Sequence, residues 1–297
     1  MIQVQGLCKS FDGLPALNNV SINVPKGSIY GIVGPNGSGK TTLIKHIVGI
    51  LIPDQGTIKI EDEEVWDNPA VKKRIAYIPD DIYFFPQDSL QDMLNFYRRV
   101  YPQFNMERWQ KLQPVFALDD KRPLRRFSRG MKKHAAFMLA LSMMPDVLVL
   151  DEPMDGLDPV ARRKVWNLIF QDVAERQTTV FISSHNLREL EDACDHVGIL
   201  HRGRVILERA LDELQNNIFK LQMGFRGDPP DFSMLNVLAD NRVGSVVQLV
   251  VRGERQQVLQ QAAALEPLML DVLPLSLEEI FIYELGGLDY EISTAII

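Results

Sequence analysis

Gly34-Pro35-Asn36-Gly37-Ser38-Gly39-Lys40-Thr41, followed by Thr42, fits the pattern G-x-x-x-x-G-K-[ST] in full. Glycines in such a loop let backbone N–H groups converge on phosphate oxygens, and a helix N-terminus adds favourable partial charge. Lys40 can bridge the β- and γ-phosphates of a nucleotide, and the Thr41 hydroxyl can ligate Mg²⁺. A second segment, Val147-Leu148-Val149-Leu150-Asp151-Glu152, delivers two adjacent carboxylates at the end of an apolar run. Asp151 would hold Mg²⁺, usually through water, and Glu152 would polarise an attacking water as general base. An apolar run ending in Asp-Glu is common by itself. Beside the loop at 34–41 it becomes the second half of a nucleotide site.

The surrounding pattern supplies elements that hold these residues. Ser28 to Val33 reads as a short apolar strand running into the glycine loop, and a helix follows from about Lys40, with Leu43, Ile47 and Ile50 sharing one face. Before it, residues 1 to about 30 alternate as strands do, with turns at Asp12-Gly13 and Pro25-Lys26-Gly27. The region 82–145 reads as helical, opened by a capping box of Ser89 with Asp92. Asp146 to Leu150 and Thr179 to Ser183 read as buried strands. Between them, Asp158 is an N-cap with Pro159 at the first helical position. A strand pair near 197–207 completes this part. Alternating strands and helices imply an α/β domain over 1–216 with a mainly parallel sheet. Beyond it the character changes. Gly224, Gly227 and Asp228-Pro229-Pro230 are loop-like, and then come a strand Val246 to Val251, a helix Glu254 to Leu265 and a strand Met269 to Leu273. Ser276 with Glu279 caps a last helix through Ile280 and Leu285. Residues 217–297 thus form a small α+β appendage.

Composition bounds the setting. The chain has 297 residues, 46% hydrophobic and 24% charged, as in ordinary soluble proteins. Its net charge of −7 argues against general nucleic-acid binding, which relies on neutralising phosphates. The most apolar stretch, Ala135 to Leu150, is broken by Ser142, Pro145 and Asp146, short of the ~18–20 residues a spanning helix needs. Lys9 and Asp12 interrupt the N-terminus before any secretory apolar run develops. Two cysteines, Cys8 and Cys194, make no disulfide framework and read as small apolar residues. The expectation is a protein of a reducing, cytoplasmic compartment.

At this point the order of the motifs resembles the ATP-binding subunits of ABC transporters, over about residues 1–215. Phe127-Ser128-Arg129-Gly130-Met131-Lys132 stands in the place of the family signature L-S-G-G-Q, Gly156-Leu157-Asp158 resembles the D-loop, and His185 resembles the switch histidine. Phe11 stands where the family stacks an aromatic on adenine. The resemblance implies a P-loop NTPase fold of the ABC-ATPase type with a helical subdomain at 82–145. It also implies a head-to-tail dimer, homodimeric or with a similar chain, holding two ATP molecules with Mg²⁺ between subunits. Each ATP would touch residues 34–41 of one chain and Ser128 and Gly130 of the other. His185 would register the γ-phosphate, and Asp158 would couple the two sites. The membrane-spanning partner would be a separate permease, with this chain peripheral on its cytoplasmic face and no direct contact with nucleic acid.

Two positions depart from the family pattern. Where it commonly has glutamine after the strand Ile75 to Ile78, this chain has Pro79-Asp80-Asp81, and Asp80 could ligate Mg²⁺ or orient water. In the signature, Arg129 replaces a glycine and Met131 the glutamine. Both departures, and the ending Pro274 to Phe281, resemble the ABC-2-type exporter branch. Rival readings are a soluble ABC ATPase acting on nucleic acid or ribosomes, which the single cassette disfavours, and a regulatory ATP binder that scarcely hydrolyses. A basic run from Lys121 through Lys133 reads either as a solvated helix face or as a positive field for ATP or an acidic partner. Of the aromatics Tyr83, Phe84, Phe85, Phe96, Tyr97 and Tyr101, at least half are expected in the subdomain core. Some would line the groove that, by the family resemblance, receives a helix of the permease.

Overall fold

The computed structural model describes residues 1–284 apart from Asp228. In chain order the elements are β1 (Ile2–Phe11), β2 (Leu14–Val24), β3 (Ile29–Val33), α1 (Lys40–Ile47), β4 (Gln55–Ile60), β5 (Glu63–Glu64), α2 (Pro69–Lys72), β6 (Ile75–Ile78), α3 (Leu90–Val100) and α4 (Met106–Phe116). A 3₁₀ turn at Leu124–Arg126 leads into α5 (Arg129–Ser142), β7 (Val147–Asp151), α6 (Pro159–Arg176), β8 (Thr179–Ser184), α7 (Arg188–Glu191), β9 (His196–His201) and β10 (Arg204–Ala210). The remainder is α8 (Leu211–Asn217), β11 (Ile218–Gly224), β12 (Val237–Val243), β13 (Val246–Arg252), α9 (Arg255–Ala263), β14 (Met269–Leu273) and α10 (Leu277–Glu284).

The chain divides into two compact units. The first comprises Met1–His185 and His196–Glu208. Its central sheet has the order β10-β9-β3-β8-β7-β6, and β3, β6, β7, β8 and β9 pair in parallel. An antiparallel sheet β2-β1-β4-β5 carries Ile2, Val4, Leu7, Val20 and Ile22 into a core shared with Ile44, Ile47 and Phe181. Parallel strands covered on both faces must be apolar throughout, and β3 and β7 are buried at every position. The capping box at Ser89 and Asp92 forms as expected and starts α3. The helix after the glycine loop is shorter than its apolar spacing suggests. Gly49, at φ 69°, donates to His46 O and turns the chain, so Ile50 leaves the helix and lies exposed.

The second unit comprises Asn186–Asp195 together with Arg209 onward. This differs from the division expected at 216/217, because α7 packs with α10. Arg188 pairs with Glu278 at 2.9 Å, and Glu191 accepts a hydrogen bond from the Leu277 N–H at 3.0 Å. An antiparallel sheet β12-β13-β11-β14 buries Phe219, Leu221, Met223, Leu249 and Val251 against Val258 and Ala262 of α9. β11 and β12 fall where loop was expected around Gly224. Ser276 caps α10, accepting from the Glu279 N–H. The expected end of that helix at Leu285, and Asp228 of the Asp-Pro-Pro turn, lie outside the described residues. No described helix is long and apolar enough to cross a membrane.

Candidate functional site

β3, β7 and β8 are adjacent parallel strands, so their C-terminal ends bring three distant segments together: the glycine loop, Asp151-Glu152 and Ser183 to His185. Outside the C-terminal ends of such strands is where ligands bind α/β sheets. The loop needs its glycines. A Cβ at Gly34 would meet the Leu200 carbonyl oxygen at 2.1 Å, and one at Gly39, where φ is 110°, would meet the Ala16 oxygen at 2.7 Å. Lys40 is nearly buried and folds back over the loop, donating to Gly34 O at 2.6 Å. Thr41, in the first turn of α1, is exposed.

Two hydrogen bonds to a single hydroxyl fix the Asp151 carboxylate and the Glu152 backbone. Ser183 Oγ donates to Asp151 Oδ1 at 2.7 Å and accepts from the Glu152 N–H at 3.0 Å. Asp151 is fully buried. Glu152 adopts a left-handed backbone at φ 45°, which a non-glycine residue adopts only when its surroundings impose it. Its Oε2 accepts from the His185 N–H at 3.2 Å and lies 2.9 Å from His185 Nδ1. Its Oε1 lies 3.3 Å from Lys40 Nζ, an ion pair that is not a hydrogen bond. Ser38 Oγ, in the glycine loop, is buried without a hydrogen-bond partner. A buried hydroxyl without a partner, beside a lysine and a glycine-lined loop, suits a phosphate, and the adjacent carboxylates suit its cation.

Ser128 is the N-cap of α5, accepting from the Met131 N–H at 3.2 Å, and it is exposed with Arg129. Gly130 lies against Gly156 of the same chain, where a Cβ would meet the Gly156 oxygen at 3.6 Å. Asp158 caps α6 with bonds from the Val160 and Ala161 N–H groups at 2.9 and 3.0 Å. These hold its carboxyl below the usual range. Phe11, 44% exposed at the end of β1, has the Lys9 ammonium 5.6 Å from its ring centre. Asp80 Oδ1 accepts from Arg129 Nη2 at 2.7 Å.

Sequence reasoning missed three participants. Ser183 reads in the sequence only as the end of a buried strand. Asp155 completes a group with Glu152 and His185 whose ligand atoms lie within 4.8 Å of one another. The imidazole of His185 in that group does not suit Mg²⁺, which prefers oxygen donors. Lys133, one charge in the basic run, is fully buried rather than solvated. Burial pushes its pKa down, and Asp80 opposes that shift. Of the six aromatics, only Phe84 is buried, so the expectation that at least half fill the core is not met. The inward face of α3 is Leu90, Met93 and Leu94, which leaves Phe96 exposed. Tyr83, Phe84, Tyr97 and Tyr101 instead line a cavity of about 310 Å³ with Ile50 and Tyr77.

Comparison with known proteins agrees with this geometry. Residues 17–155 match the family model described as ABC transporter. The ABC transporter ATP-binding protein YtrB of Bacillus subtilis (strain 168) is 33% identical over 97% of this chain and 99% of its own length. The bacitracin transport ATP-binding protein BcrA of Bacillus licheniformis is 33% identical over 72% of this chain and 71% of its own. A solved ATP-binding subunit of an ABC transporter superposes with TM-score 0.67 at 28% identity, over 72% of this chain and 91% of that one. Similarity to YtrB along nearly the whole of both chains makes this chain an ATP-binding, ATP-hydrolysing subunit of the ABC transporter family.

Proposed function

We propose that this subunit drives export through a separate membrane permease, as one of two ATPase chains in a head-to-tail dimer at the cytoplasmic face. The observation that carries the catalytic part is the Glu152 carboxylate, held between His185 at 2.9 Å and Lys40 at 3.3 Å at the end of a fully buried strand. Backbone N–H groups within the loop 34–41, Pro35 aside, and the Lys40 ammonium bind the phosphates of ATP, and Phe11 receives the adenine. Thr41 and Asp151 would hold Mg²⁺, which when bound would neutralise charge developing on the phosphate oxygens. Glu152 takes a proton from the attacking water, His185 holds the γ-phosphate, and the products are ADP and phosphate. Ser128 and Gly130 of the opposite chain close the site, where the N-terminus of α5 offers N–H donors to the phosphate. Asp158 couples the two sites.

Export is supported by relatives named for lantibiotic transport, bacitracin transport and daunorubicin/doxorubicin resistance. The cavity beneath Tyr83, Tyr97 and Tyr101 is the surface we assign to the permease. The decisive experiment is Glu152→Gln in the full chain. Turnover should fall about 10²- to 10⁴-fold, the usual contribution of a general base. ATP should still bind and hold a dimer through size exclusion. A Glu152→Gln protein that keeps turning over, or stays monomeric with ATP, refutes this reading.

A further inference from the structure

Lys133 has no part in the roles above, yet its side chain is completely buried. Burying an ammonium is costly unless it is both paired and hydrogen-bonded. Its Nζ donates to the backbone carbonyl of Glu152 at 2.7 Å and lies 3.8 Å from Asp80 Oδ1. The same carboxylate oxygen accepts from Arg129 Nη2 at 2.7 Å. Arg129 and Lys133 are four residues apart on α5, so one face of the signature helix presents two cations to the carboxylate following β6. The two departures from the family pattern, Asp80 and Arg129, are therefore partners of each other. At the far end of this chain of contacts stands Glu152 in its left-handed backbone. Ser183 holds its N–H, and Lys133 holds its C=O.

We propose that Lys133 is a positioning residue for ATP hydrolysis: by holding the Glu152 carbonyl it locks the backbone turn that aims the Glu152 carboxylate. Asp80 is its counter-charge, and Arg129 ties that counter-charge to the signature helix. The proposal rests on Glu152 as the general base. It places no step on Asp80 as a metal ligand. A lysine that merely anchored α5 would, when lost, weaken the fold and ATP binding together. A positioning lysine affects kcat alone.

The test compares Lys133→Met, Lys133→Gln and Asp80→Asn in the full chain. It measures Mg-ATP turnover, ATP affinity by displacement of a fluorescent ATP analogue, and thermal melting. Lys133→Met should lower kcat about 10- to 100-fold, the scale of a small misplacement of a reacting group, with ATP affinity within about twofold. Lys133→Gln keeps an N–H donor for the carbonyl and should recover most of that loss. Asp80→Asn should lower kcat at least about threefold at unchanged affinity. Wild-type kcat in Lys133→Met or in Asp80→Asn overturns the proposal, as does an affinity that falls in step with kcat. Should Lys133→Met fail to fold, Asp80→Asn decides. Glu152→Gln run in parallel separates the two claims. If it keeps its turnover, the general-base reading fails. A normal Lys133→Met beside an inactive Glu152→Gln removes only the present inference.

Discussion

The two units bury different things. In the first, the buried polar residues include Ser38, Lys40, Asp151, Ser183 and Ser184, in the segments that meet at the ends of β3, β7 and β8. Lys133, bonded to Glu152, is buried too, besides others such as His46, Ser142, Asp172 and Thr179 elsewhere in the unit. In the second, among the described residues, every fully buried side chain is apolar or is Cys194. Burying a polar group is unfavourable unless hydrogen bonds replace water, so polar interiors persist where they have work to do. The contrast therefore separates a region that holds chemistry from one that holds shape. The second unit also owns Asn186–Asp195, the segment immediately after His185 in sequence, through Arg188–Glu278 and the Glu191 bond to Leu277.

Leu221→Ala tests that separation with the largest effect. Leu221 is fully buried on β11 among Phe219, Met223 and Leu249. Its truncation should cost the second unit about 2–5 kcal/mol, read from chemical denaturation. ATP affinity at low denaturant should not change, and a parallel loss of affinity would break the contrast. Ser183→Ala should do the reverse. It leaves a buried Asp151 oxygen and the Glu152 N–H without their hydroxyl, costing about 1–3 kcal/mol. Turnover should fall more than the folded fraction accounts for, because both carboxylates lose their anchor. Unchanged turnover per folded molecule would show that Ser183 is structural only.

What the sequence revealed follows the range of the interactions involved. The glycine loop and the strand ending in Asp151-Glu152 are local patterns whose chemistry is written within eight residues, and both stand at adjacent strand ends. Ser183 and Lys133 were hidden because their meaning is tertiary. Lys133 looks like its neighbours in a basic run until α5 is packed and sets its Nζ on a carbonyl 19 residues away. In the second unit, β11 alternates Phe219, Leu221 and Met223 inward, a signal obscured by the glycines after it. β12 carries Asp240, Asn241 and Arg242 and lies at a sheet edge. There, pairing with β13 rather than composition makes it a strand.

The smallest expected effect sharpens the contrast at its margin. Asp158 is exposed and belongs to the first unit, yet its visible bonds are those of a helix cap. The Ala161 and Val160 N–H groups hold its carboxyl below its ordinary value. A carboxylate with a depressed folded pKa contributes stability that is present above the unfolded value, about 3.9, and is lost as pH falls through the folded value. Asp158→Asn keeps a capping oxygen but cannot ionise. Wild type should therefore melt above the variant near pH 7, with the gap closing as pH drops below about 4. A gap independent of pH would assign the loss to geometry instead of charge. If the variant also loses turnover at pH 7 beyond its small loss of stability, Asp158 acts in the chemistry as well as in the helix. An exposed cap would then belong with the buried carboxylates of its unit.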